Sequence, residues 1–87
     1  DVFRSNGYKV EATRATGDFG ADLLAHGPQG RVVVQVKRYN GAVGLEAVQE
    51  AYSARAHYRA FGALVVTNSR FTEAARALAA STGVELW

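Results

Sequence analysis

The sequence predicts an α/β fold: a mixed sheet of about five strands with helices on its faces, in the order (α)βββαβαβ. Three observations carry this. Residues 21–25 and 32–36 are apolar runs on either side of Gly27-Pro28-Gln29-Gly30, a glycine–proline turn that makes an antiparallel hairpin. Residues 63–67, Ala-Leu-Val-Val-Thr, are nearly all apolar, as a strand covered on both faces would be. Between them, residues 45–58 carry apolar side chains at helical spacing. A helix between two strands suggests a parallel crossover connection.

Taken in order, residues 1–6 read as the end of a helix, with Gly7 as its left-handed cap. Tyr8, Val10 and Ala12 alternate with Lys9, Glu11 and Thr13, so residues 8–14 read as the first strand. Residues 15–20 form a loop in which Gly17 and Gly20 permit a sharp turn and close approach to a ligand. A hairpin symmetric about Pro28 and Gln29 pairs Asp22 with Gln35, Leu23 with Val34, Ala25 with Val32 and His26 with Arg31. After a loop at residues 41–44, the helix at 45–58 has Leu45, Val48, Ala51, Tyr52 and Ala56 as its apolar stripe. Arg55, His57 and Arg59 form a solvated basic rim. Following the strand at 63–67, Asn68-Ser69-Arg70 is a polar loop and Thr72 caps a second helix at 73–81, with Glu73 in its first turn. That helix buries Ala74, Ala75, Leu78 and Ala79, Gly83 stops it, and residues 84–87 make a last edge strand.

Alternation along the hairpin gathers Asp22, Gln35 and Lys37 on one face. Facing positions have Cβ atoms about 4.5–5.5 Å apart. The other face holds Ala21, Leu23, Ala25, Val32, Val34 and Val36, with no polar side chain, and reads as core; the helix at 45–58 is expected to pack on it. Two readings fit the polar trio. One is a structural ion pair between Asp22 and Lys37 across a solvated face. The other is a divalent-cation site, since a carboxylate and an amide oxygen are hard ligands suited to Mg²⁺ and a lysine can stabilise developing negative charge. Glu11 is a solvated strand residue or an accessory acid, and Asp18 a turn residue or a second carboxylate. Arg31 and Arg38 are hairpin-tip and post-strand residues, or phosphate contacts.

The stretch GDFGAD leading into a hairpin that ends in QVK resembles the PD-(D/E)XK nuclease superfamily. More narrowly it resembles the Mrr-type (type IV) restriction endonuclease domain, in which QXK replaces (D/E)XK. NGYKVEAT before the hairpin, then VGLEAVQEA, ALVVTNSRFTEAARALA and GVELW, follow that domain's order over nearly the whole chain. The resemblance implies a restriction-endonuclease-like fold and a Mg²⁺-dependent deoxyribonuclease, with Mn²⁺ as a substitute. Asp22, the Gln35 side chain and the Val36 carbonyl would hold the metal, and Lys37 would position or activate the attacking water. It also implies a catalytic-side position for Gln49, otherwise a boundary residue beside the helix stripe. The family's longer first helix often bears a glutamate near the metal, which cannot be identified in this chain. DNA is the implied partner, and cutting both strands suggests a homodimer. Gln35 brings one negative charge fewer than an acidic ligand. The alternative is therefore a weakened nuclease fold that binds DNA or a partner protein without cutting, and a third reading is an interaction domain using its sheet edge.

Length and composition agree with one domain, residues 1–87, with a modest core: 87 residues, 48% hydrophobic. The chain has no cysteine, which excludes disulfides and thiolate metal sites. It begins at Asp1 and lacks methionine, so a piece of a longer protein, shortened at its first helix and carrying other domains, is expected. The apolar runs are too short for a membrane span, and a cytoplasmic location is expected. A net charge of +2 and pI ≈ 9.3 permit an anionic partner.

Overall fold

Gly27 and Gly30 pair across the two-residue turn Pro28-Gln29 in a computed structural model, which describes residues 7, 9–12, 23–38 and 40–87, with the backbone alone at 11 and 12. Gly30 has φ 127°, a conformation L side chains rarely adopt, and an added Cβ would lie 3.3 Å from Phe61 Cδ1. The hairpin joins β2 (Leu23–Gly27) to β3 (Gly30–Lys37), with Leu23 opposite Val34, Ala25 opposite Val32 and His26 opposite Arg31, as the turn chemistry predicts. β1 (Lys9–Ala12) adds antiparallel to β2. Helix α1 (Leu45–His57) then crosses over to β4 (Gly62–Thr67), parallel to β3, and α2 (Glu73–Thr82) leads to β5 (Glu85–Leu86), parallel to β4. The five strands lie in chain order in one mixed sheet. Gly7 has φ 84°, the left-handed conformation expected of it, whereas residues 1–6 lie outside the described residues. Among the described residues, no helix is long and apolar enough to cross a membrane.

The core sits on the sheet face opposite to the one expected. Leu24, Val33, Ala63 and Val65 share a face, because each is directly paired with the next or stands two residues along the same strand. They cluster with Ala47, Val48, Ala51 and Ala54 of α1 and with Ala75 and Ala79 of α2. Gln35 and Lys37 belong to this helix-covered face, so it is not a solvated one. Ala25, Val34 and Leu64, on the other face, are buried too. Alternation states which residues share a face. When both faces of a strand are buried it does not state which one a helix takes.

The buried side of α1 is also rotated from expectation. Ala47, Val48, Ala51 and Ala54 face the sheet, whereas Tyr52 is 45% exposed and Ala56 is exposed. Alanines let the helix approach closely, and a tyrosine ring at that interface would hold it away. In α2, Ala75 and Ala79 are buried and Leu78 partly so, while Ala74 is exposed rather than buried.

Local chemistry sets the ends of α2. Thr72 Oγ1 accepts the Ala75 N–H at 3.0 Å, and Gly83 closes the helix with φ 80°. Thr72→Ala should cost about 1 kcal/mol in a urea titration, within the 0.5–2 kcal/mol that N-caps contribute.

The connections after β3 and β4 are tied together. Val43 bridges Phe71 in parallel, its N–H donating to the Arg70 carbonyl at 2.8 Å and its carbonyl accepting the Thr72 N–H at 2.9 Å. Ser69 Oγ donates to the Gly41 carbonyl at 2.7 Å. Both loops lie at the carboxyl ends of the parallel strands, where open α/β sheets place their ligands.

Candidate active site

β3 aims Val33, Gln35 and Lys37 at the helices, each step about 6.6 Å further along the strand. Val33 is in the core, Gln35 is 3% exposed and Lys37 is 23% exposed, so the row climbs out of the core to the rim of the sheet. Thr67 is registered beside Lys37, and its Oγ1 accepts the Ser69 N–H at 3.1 Å.

Gln35 is the chemically unusual residue. Its Oε1 is buried and has no hydrogen-bond partner. Leaving a buried acceptor unpaired costs about 1–3 kcal/mol. Its position therefore has an energetic cost to the fold, and the atom is a desolvated hard oxygen.

Lys37 lies 3.7 Å (Nζ to Oε1) from Glu50, whose side chain is 40% exposed. Glu50 comes from the second turn of α1, which returns alongside β3 so that its first half lies near Lys37 and its end near Arg31. An ion pair this open contributes about 0–1 kcal/mol. Its consequence is positional, holding the ammonium at the rim.

Asp22 and Asp18 lie outside the described residues, as does the side chain of Glu11. Val36 turns its side chain to the opposite face, and Gln49 is exposed on α1 next to Glu50. Arg38 is exposed immediately after β3. Arg31 stands six residues from Lys37, about 20 Å along the strand, with Nη1 donating to the Tyr58 carbonyl at 3.0 Å. The structure thus brings Lys37 and Glu50 together at one rim, with Gln35 buried two residues before Lys37 on β3, and puts Arg31 at the other end of the strand. Glu50 was missed by the sequence reading. Its signal was adjacency to Gln49 on a helix that follows the lysine strand. Among the described residues, no group of three or more His, Cys, Asp or Glu side chains is gathered as a metal cluster.

The arrangement offers a buried oxygen donor, a positioned ammonium and a carboxylate at the open end of a parallel strand pair. A family model described as Mrr_cat, restriction endonuclease, matches residues 1–87. Among solved structures, the chain superposes on a protein of unknown function, AF1548, with TM-score 0.78 and 19% identity, covering 98% of this chain and 51% of that one. It also superposes on the MspJI restriction endonuclease in complex with a 27-mer oligonucleotide, with TM-score 0.64 and 22% identity, covering 99% of this chain and 22% of that one. The chain thus spans about half the length of the first and about a fifth of the second. At these identities the likeness is one of fold. No curated protein matches the chain.

Proposed function

The chain belongs to the Mrr_cat restriction endonuclease family, and from that membership we propose that it is a divalent-metal-dependent nuclease hydrolysing phosphodiester bonds of DNA. The observation that carries the metal dependence is the buried, unpartnered Gln35 Oε1 beside Lys37 on β3. A buried carboxylate at that position would be far costlier without a cation than the neutral amide is. The residues fit Mg²⁺ or Mn²⁺, both of which favour carboxylate and carbonyl oxygens. Gln35 Oε1, the Asp22 carboxylate and the Val36 carbonyl would hold the ion. The chemistry a divalent cation supplies there is charge neutralisation at the scissile phosphate.

The chain's own groups do the rest. Lys37 donates hydrogen bonds that orient the attacking water and stabilise charge developing on the phosphate oxygens. Glu50 keeps the Lys37 ammonium facing the rim. Arg38, exposed next to Lys37, is a phosphate contact. Asp18, Glu11 and Gln49 are accessory candidates. A second copy would cut the second strand, and other domains of a longer chain would choose the DNA target.

The test is cleavage of duplex DNA with Mg²⁺ or Mn²⁺, abolished by EDTA and by Asp22→Asn. Binding without cutting under every divalent metal would instead identify a DNA-binding domain of nuclease ancestry.

A further inference from the structure

We propose that the hairpin-tip end of the molecule, remote from Lys37, is a second contact surface for the phosphate backbone of duplex DNA. It takes only the identity of its partner from the nuclease reading, since binding here needs neither metal nor chemistry.

The surface is assembled from three strands and a helix end. Lys9 is registered against His26, and His26 against Arg31. Directly paired residues share a face with Cβ atoms about 5 Å apart, so a basic row crosses the sheet at its tip. α1 ends against this row: Arg31 Nη1 donates to the Tyr58 carbonyl at 3.0 Å, and the Phe61 N–H donates to the Arg31 carbonyl at 2.9 Å. Arg55 and Arg59 are thereby brought to the same end. Lys9, Arg31 and Arg59 are exposed, and the segments 26–31 and 51–62 contain no carboxylate.

Arg59 also carries a left-handed backbone. Helix α1 closes in a Schellman motif, with the Ala60 N–H donating to the Arg55 carbonyl at 2.9 Å and the Arg59 N–H to the Ala56 carbonyl at 3.2 Å. The residue at Arg59's place in that motif is left-handed, here with φ 53°, and Arg59 is the one non-glycine with positive φ among the described residues. Glycine takes that conformation freely, so the fold gains nothing from arginine there. A strained residue on a basic surface points to use of its side chain. Basic residues at a helix C-terminus also complement its dipole, which accounts for Arg55. The dipole does not account for Lys9 at the sheet edge or for Arg59 beyond the last turn.

The tip lies about 20 Å from Lys37 along β3, or roughly six base-pair steps of duplex. One DNA molecule can touch both ends.

The experiment is titration of a labelled duplex in EDTA over a range of salt, with metal-dependent cleavage measured in parallel. Arg55→Gln with Arg59→Gln should lower the slope of log K against log salt by about two and weaken binding roughly 60-fold at 0.1 M salt. Arg59→Gly should lower the slope by about one while keeping or raising the melting temperature, so its loss is not a folding defect. Unchanged slopes in both variants overturn the proposal even if the protein cuts DNA. So does a wild type that fails to bind duplex without metal, or that prefers single-stranded DNA or polyglutamate. Lowered slopes in a protein that never cuts would uphold this surface and overturn the nuclease reading alone.

Discussion

Lys37→Ala should lower the rate of metal-dependent DNA cleavage by about 10²–10⁴-fold while leaving the fold intact. The asymmetry follows from where the side chain sits. It is 23% exposed, and its ion pair with Glu50 at 3.7 Å is partly solvated, so its loss costs at most about 1 kcal/mol of stability. On the proposed reading its contribution would lie in charge that develops only during hydrolysis, which a lysine beside the phosphate stabilises. Glu50→Gln should have a smaller effect of the same kind, because it frees the ammonium without removing it. Single-turnover cleavage together with urea unfolding checks both. An unchanged rate in Lys37→Ala would remove this residue from the reaction.

Gln35→Met should do the opposite to stability. Replacing an amide whose buried oxygen is unpaired by an apolar side chain of similar shape removes a cost of about 1–3 kcal/mol, so the metal-free variant should unfold at higher urea concentration than the wild type. The same change removes the proposed ligand oxygen. Mg²⁺ at 100 times its dissociation constant should stabilise the wild type by about 2.7 kcal/mol and the variant by far less. Urea titrations with and without Mg²⁺ separate the two effects. A destabilised variant that keeps the full Mg²⁺ response would make Gln35 a structural residue and nothing more.

The two predictions depend on different links between sequence and structure. That Gln35 and Lys37 share a face follows from two-residue alternation, and it was legible. That Gln35 is buried was not. The face carrying it also carries Leu24 and Val33, and those two apolar residues were the available sign that helices would cover it. Arg31 was legible in the same way: its pairing with His26 puts it at the hairpin tip, at the other end of β3 from Lys37. For α1, the stripe through Tyr52 fitted helical spacing about as well as the one through Ala47 and Ala54, because alanine is apolar enough for either side.

The amino-acid sequence by itself determined the five strands and the two helices between β3 and β5, the hairpin register, the crossover, the Thr72 cap and the Gly83 stop, since each rests on residues close together in the chain or on a period they share. Tertiary structure alone decided which sheet face the helices cover, which side of α1 meets it, that Glu50 stands beside Lys37 and that the basic end of α1 joins Arg31 at the hairpin tip. Those outcomes depend on how closely a small-residue helix can approach a sheet, and close approach is a property of surfaces brought together from distant parts of the chain.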